Sequence, residues 1–486
     1  MKLLSIFIIL LIPLFICNSS ITYGQKSWEK RLPGIGTFSS PRITDLNGDK
    51  IGDVILGAGR VEFQSCDSAV IALDGKTGEM LWNVSATDQI FGSSTLKEIT
   101  GDDVLDVFIS GRSAELIAIN GASGEVIWRF KKPKSEKKEW FNFYNPQFIP
   151  DQNNDGFDDI LVSNGGDVMA EPYDPNRPVG HLVVLNSRNG DVIKKAPMPD
   201  GKETYMSIAI LPNVPSNVKS VIFGTGGETI GGNLFVASID DVMSGDLSNA
   251  IKLDSSASKG FIAAPAWVDI TGDGIHDIIS NAFDGRLLAY DGKTYKSIWK
   301  VEMENTEAYG SVAIGKFNTD SIPDFFVSFS QGSWPDLDWC KQFMVNGRNG
   351  KIEYVDSLGY YQLCSPAVLD LNNDGIDEAI LSVNFQVYDS LLLKYFYNNL
   401  IVFDFIGKEA ILMQLNAEGH NISSTPWVGD IDNNGFLDIV YCHGTNVKQT
   451  YTFDGLQVNR IVTKVPVLRE IKWGSYMGSY YDGVYK

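Results

Sequence analysis

The stretch PAVLDLNNDGIDEAILS, residues 366–382, sets a knot of carboxylates and amides between two short apolar runs. Asp370, Asn372, Asp374 and Glu378 occupy positions 1, 3, 5 and 9 of a loop, with Gly375 at position 6. Carboxylates a few ångströms apart repel unless a positive charge lies among them, and the stretch contains no Lys or Arg. Oxygens at alternate positions, a main-chain carbonyl at position 7 and a glycine at the sharp turn suit a hard, oxygen-seeking cation, most simply Ca2+. A polar Asx-type turn without metal is the alternative for one copy taken alone.

The frame is repeated. PRITDLNGDKIGDVILG from Pro41 offers Asp45, Asn47, Asp49 and Asp53, and PQFIPDQNNDGFDDILVS from Pro146 offers Asp151, Asn153, Asp155 and Asp159. PAWVDITGDGIHDIISN from Pro265 offers Asp269, Thr271, Asp273 and Asp277, and PWVGDIDNNGFLDIVYC from Pro426 offers Asp430, Asp432, Asn434 and Asp438. Turn propensity alone does not explain five repetitions of one spacing. Three further copies are degraded. LKEITGDDVLDVFIS keeps Glu98, Thr100, Asp102 and Asp106; IGKFNTDSIPDFFVS puts Lys316 at the first position, where its ammonium could replace an ion beside Asp320 and Asp324; AILPNVPSNVKSVIFG has lost the acids. The loop therefore decorates a structural unit that persists without it.

Eight copies recur at intervals of 47 to 60 residues, a period that points to solenoids, propellers or arrays. Short β-branched flanks bounded by Gly, Asn and Asp argue for strands. Each unit also has a second half, as in AVIALDGKTGEMLWNV, ELIAINGASGEVIWRF, HLVVLNSRNGDVIKKA and RLLAYDGKTYKSIWKV, where a tight turn joins two strands, the second often carrying Trp (Trp82, Trp128, Trp299). Two strands around the acidic loop and two around this turn make a four-stranded antiparallel sheet. The expected fold is all-β, a β-propeller of about eight four-stranded blades, or seven if the degenerate unit at residues 204–258 packs differently. Residues 27–41 align with the outer strand and exit of a blade, so Trp28 should begin a strand that completes the last blade. The tail WGSYMGSYYDGVYK has no place in a strict eightfold ring.

The D-x-N-x-D-G-x-x-D loop between strands resembles the FG-GAP or VCBS-type repeat of integrin-like propellers, and ALDGKTGEMLW resembles the repeat of quinoprotein-like (PQQ-like) propellers, which include scaffolds of the outer-membrane assembly type. The resemblance implies Ca2+ at the five acidic loops as a structural cofactor. It does not select a function, since such propellers include adhesins, scaffolds, lyases and dehydrogenases. An EF-hand is excluded, because it needs flanking helices and a Glu at position 12, which is Leu56 in the first copy and Ser280 in the fifth.

The net charge of -20 agrees with this assignment, as the ligand positions of the five loops hold 15 of the 60 acids. No basic patch for nucleic acid is present. Residues 1–24 read as a signal peptide, with Lys2, an apolar run to Ile16 and small residues ahead of Gln25, leaving residues 25–486 as one propeller domain. Cys17 raises lipidation, which the bulky Ile16 before it disfavours. No later stretch approaches a membrane span. The expected protein is an exported monomer, periplasmic, outer-membrane-associated or extracellular. Export permits disulfides among Cys66, Cys340, Cys364 and Cys442; the repeat frame favours Cys340 with Cys364 and Cys442 with Cys66, with four buried free thiols as the alternative.

A nucleophile elbow, Walker loop, CxxC or HExxH is missing, and His181, His276, His420 and His443 stand apart as surface or loop residues. Polar residues leaving the second strands (Arg60, Arg112, Asp167, Glu228, Asp284, Gln331) should gather near one channel mouth, beside loops carrying Tyr173, Trp334 and Trp339. The expected function is non-catalytic binding, adhesion or envelope scaffolding for a protein or glycan at that face, with no catalytic residue. The alternative is a calcium-dependent polysaccharide lyase or other carbohydrate-active enzyme. A quinone-dependent oxidase is a third class.

Overall fold

The computed structural model describes residues 24–134, 140–334 and 336–486. The signal-peptide and Cys17 expectations lie outside the described residues, apart from Gly24.

Eight antiparallel sheets follow one another along the chain, each with a four-strand path. Blade one comprises Arg42–Thr44, Asp53–Gly57, Cys66–Leu73 and Met80–Ala86, paired in that order. The same order recurs in every blade, so the seven-bladed alternative falls. The degenerate fourth unit is a complete blade of Ala209–Ile210, Lys219–Gly224, Gly232–Ser238 and Ile251–Ser256. Its tight turn is replaced by the short helix Ile239–Ser244, begun by a capping box in which Ser238 Oγ accepts from Asp241 N and the Asp241 carboxylate accepts from Ser238 N.

The ring closes as expected from Trp28. Gly24–Pro33 pairs with Gly455–Pro466 and becomes the outermost strand of blade eight, beyond Phe436–Gly444 and Trp427–Gly429. The second strands are buried along nearly their whole length, as in Asp53–Gly57 and Asp106–Ser110, because sheets pack on both of their faces.

Two sets of contacts repeat between blades. At the outer edge, the indole N–H of Trp82 donates to Gly121 O of the next blade at 2.8 Å, and Trp28, Trp128 and Trp299 do likewise to Gly75, Ser187 and Gly347. The Trp82 ring lies so close to Gly124, which has φ +74°, that a Cβ there would meet it at 2.5 Å. At the inner edge, the residue two before each first strand is small and polar in most blades. Ser40 N donates to Ser93 Oγ (2.9 Å), Ser93 N to Asn145 Oδ1 (3.0 Å), Ser311 N to Ser365 Oγ (2.8 Å) and Thr425 N to Ser40 Oγ (2.9 Å), the last joining blade eight to blade one.

The C-terminal tail fills the channel. Val368 N and Val428 N, on the first strands of blades seven and eight, donate to Trp473 O (2.9 Å) and Gly474 O (2.7 Å). On blade five, Trp267 N donates to Gly483 O at 2.8 Å. Trp473 is 2% exposed, and its indole N–H reaches Val312 O at 3.1 Å. The buried Arg42 guanidinium donates to Ser94 O, Ser475 Oγ and Tyr476 O, and lies 4.0 Å from the Tyr481 ring centroid.

All four described cysteines are free and buried, so neither favoured disulfide forms. Each thiol meets a local partner instead: Cys364 Sγ donates to Ser382 O at 3.3 Å, and Cys340 Sγ lies 3.7 Å from Ser330 Oγ. Burial pushes the Cys340, Cys364 and Cys442 thiols up to about 12, which keeps them protonated and unreactive. His420 and His443 are also buried, contrary to the surface placement expected for them.

Candidate functional site

The first strands run from one mouth of the channel to the other and end in the acidic loops. Each loop is a nest of local hydrogen bonds. In the first, Asp45 accepts from Gly48 N and Lys50 N (both 2.8 Å), Asn47 Oδ1 from Asp49 N (3.0 Å) and Asp49 Oδ1 from Ile51 N (2.8 Å). The pattern recurs with Asp151, Asn153 and Asp155, with Asp269 and Asp273, and with Asn372 and Asp374. Position 6 takes positive φ throughout the five loops: Lys50, Gly156, Gly274, Gly375 and Gly435.

The acid at position 9 is buried in all five loops and starts the second strand in four of them, Asp438 lying inside Phe436–Gly444. Asp53 accepts from Leu46 N and Gly75 N, each at 2.8 Å, tying the loop to the hairpin turn of the same blade; Asp277 does the same with Ile270 and Gly292 at 2.9 Å. These bonds do not offset the burial. Asp53 and Asp159 are pushed up to about 6 and Glu378 to about 8, with desolvation first among the causes and neighbouring acids adding to it.

Two loops gather their carboxylates most tightly. Oxygens of Asp370, Asp374 and Glu378 lie within 4.8 Å of one another, as do those of Asp430, Asp432 and Asp438. Asp370 Oδ1 and Asp432 Oδ1 are buried without a hydrogen-bond partner. The donor set is all oxygen, so the residues fit a hard cation. The tertiary structure also brings cations that the loop sequences lack. Arg460 Nη2 lies 2.6 Å from Asp432 and its Nε 3.0 Å from Asp438, while Arg469 Nη2 lies 3.0 Å from Asp370 and 2.7 Å from Asp377. In the sixth loop Lys316 does not take the ion's place. Its main-chain N–H donates to Asp377 Oδ2 of blade seven at 2.7 Å, and Asp320 faces Arg348 at 3.9 Å instead.

At the opposite mouth a cavity of about 580 Å³ opens over the tail. Its floor includes Tyr476 and the polar ring residues Ser40, Ser93, Asn145, Ser207 and Ser365. Aromatic side chains wall it: Phe91 packs on Tyr144 (5.4 Å between centroids), and Trp334 meets Tyr451 (6.0 Å) and Tyr309 (6.5 Å). Charged groups are mostly paired. Arg112 Nη2 reaches Glu62 at 2.5 Å, Arg177 lies 3.5 Å from Glu203, and Tyr205 Oη donates to Glu203 at 3.1 Å.

Of the rim residues expected from sequence, Arg112, Glu228 and Trp334 line this cavity. Arg60, Asp167, Asp284, Gln331, Tyr173 and Trp339 are not among its lining. Asp284 is held by Arg286 at 2.8 Å, and Tyr173 and Trp339 are 67% and 59% exposed. Glu203, Tyr205 and Tyr309 escaped the sequence argument, which followed strand exits rather than entries. A signal was present: Glu-x-Tyr recurs as Glu203–Tyr205 and Glu307–Tyr309 before the first strands of blades four and six.

A family model described as FAM234A/B beta-propeller matches residues 28–208. Protein FAM234B of Homo sapiens is 20% identical over 399 residues, which cover 72% of this chain and 57% of that protein. The chain thus spans a little over half the length of the curated relative it matches. The family match is to this propeller, whereas the loop spacing pointed to the FG-GAP type. Among solved structures, the quinohemoprotein alcohol dehydrogenase of Comamonas testosteroni aligns with TM-score 0.57 at 10% identity, covering 93% of this chain and 78% of that one. A europium-containing methanol dehydrogenase aligns with TM-score 0.57 at 12% identity, covering 91% and 94%. These likenesses are of fold. Among the described residues, no helix is long and apolar enough to cross a membrane.

Proposed function

We propose that this protein is an exported, calcium-stapled propeller that binds a protein or glycan ligand, without catalysis, in the funnel opposite its acidic loops. The observation that carries the proposal is the funnel itself. A cavity of about 580 Å³ is within the range of ligand sites, and its aromatic walls with a few convergent charges are their usual lining. Calcium serves the other rim, where Asp45, Asp49 and Asp53, Asp151, Asp155 and Asp159, Asp269, Asp273 and Asp277, and Asp370, Asp374 and Glu378, with Asn47, Asn153, Thr271 and Asn372, would hold the ions. Asp430, Asp432, Asn434 and Asp438 would share theirs with Arg460.

A lyase would need an arginine and an acid from the rim, and of the rim residues Arg60 and Asp167 do not line the funnel. Tyr205, which donates to Glu203 there, is pushed far up by burial and by that acid, which makes it a poor base at neutral pH. Incubation of the calcium-loaded protein with a polysaccharide panel, read by mass spectrometry and by retention, tests the proposal. Retention of a ligand unchanged in mass, lost in Trp334→Ala, is expected. New unsaturated oligosaccharides would overturn the non-catalytic reading.

A further inference from the structure

Glu228 is the odd charge in the funnel. The other acids of its lining have cationic partners, Glu62 in Arg112 and Glu203 in Arg177. Glu307, just behind the wall, has Lys259 at 2.7 Å and also accepts from Trp334 N at 2.9 Å. Lys259 and Arg112 lie near enough to favour the Glu228 carboxylate, yet both are committed to Glu307 and Glu62. Among the described residues Glu228 therefore has no ion pair, although burial disfavours its charge. The lining holds three glutamates against two arginines, which leaves one carboxyl without a countercharge of its own.

The surroundings of that charge are aromatic. Tyr309 neighbours Glu228, and Tyr361 and Tyr451 both feel its field. Trp334 meets all three tyrosines, with centroids 6.5, 6.3 and 6.0 Å away, and Tyr361 and Tyr451 meet edge to face at 5.5 Å. A carboxylate beside several π faces is complementary to a cation with an apolar body: the acid supplies countercharge, and the ring quadrupoles attract the same charge without hydrogen-bond geometry. An anionic ligand would meet repulsion there, and a neutral one would leave the acid buried and unpaired.

We infer that the group recognised by the funnel is an organic ammonium, seated between Glu228 and the Trp334 and Tyr451 rings. This rests on the funnel being the binding site, as proposed above. The ammonium could be presented by an amino sugar or by a lysine side chain, and the two sources are separable by experiment.

Calorimetric titration of the calcium-loaded protein would use matched pairs: glucosamine against N-acetylglucosamine, lysine methyl ester against its Nε-acetyl form, and choline against its neutral isostere 3,3-dimethyl-1-butanol. Expected is a preference of about tenfold or more for the charged member of at least one pair, removed by Glu228→Gln with melting unchanged. The pair that responds names the source. Equal binding of charged and neutral members, still lost in Trp334→Ala, would overturn the inference and leave the binding module standing. No binding by any probe would overturn the inference, and a polysaccharide panel equally unaffected by Trp334→Ala would remove the binding module too.

Discussion

Arg460 Nε donates to Asp438 Oδ1 at 3.0 Å, placing a fixed cation inside an acidic loop whose own sequence has none. The same guanidinium donates to Asp432 at 2.6 Å and to Gly75 O of blade one at 3.0 Å. It therefore offsets part of the charge of the eighth loop and bridges the ring closure at once. Arg460→Ala should cost about 3 kcal/mol or more in chelator, since it strips a buried carboxylate of its partner. Thermal melting should show calcium recovering more stability in this variant than in the parent, because the vacated space leaves three carboxylates for the ion.

Calcium should matter most in blade seven, where Asp370 Oδ1 is unpartnered and Glu378 is pushed up to about 8. An ion that binds only the native state stabilises it by mass action. EDTA should lower the melting temperature, and Ca2+ should restore it more fully than Mg2+, whose small octahedral shell suits these loops less well. Glu378→Gln should shrink that response. Melting unchanged across EDTA, Ca2+ and Mg2+, with no ion retained by the purified protein, would return these loops to plain turns.

The Trp82 staple separates hydrogen bonding from packing. Trp82→Phe removes the N–H that reaches Gly121 O and should cost about 1 kcal/mol, whereas Trp82→Ala also empties the space against Gly124 and should cost about 3–5 kcal/mol. Denaturant unfolding distinguishes the two. Equal costs would show that the ring packing contributes nothing.

His420 gives the protein a pH dependence. Its ring is enclosed by Thr450 O and Asn446 O, and burial holds its pKa below the unfolded value of 6.5. The unfolded chain thus binds the proton first. Stability is full above about pH 6.5 and falls as the pH drops from there towards the lower folded value. Melting temperatures between pH 7.5 and 5 should decline with a slope reduced in His420→Gln, and an unaltered slope would assign the decline to other groups.

Strand order and ring closure were legible because each is written locally and repeatedly: an acidic loop, a tight turn and a tryptophan on the outer strand. The acidic loops were legible for the same reason, since one nine-residue spacing recurs in them. The funnel was only partly so. Arg112, Glu228 and Trp334 follow strand exits that the repeat frame marks, whereas Tyr205 and Tyr309 share a Glu-x-Tyr entry found in only two blades and Tyr451 lies in a connection of blade eight.

An all-β ring of four-stranded blades, and where its oxygen-rich loops fall, can thus be read along the chain, because periodic burial and turn chemistry act over a few residues; the count of eight rather than seven needed the folded fourth blade. Which charges meet is a property of the folded ring. Arg460 reaches Asp438 across 22 residues, and Arg469 reaches Asp370 from the far side of a blade. The tail fills a channel that exists only once the ring has closed, and Arg42 is buried against Ser475 and Tyr476 across more than 430 residues. Charge compensation depends on distance in space, and a chain folded into a ring brings together residues whose separation in sequence says nothing about it.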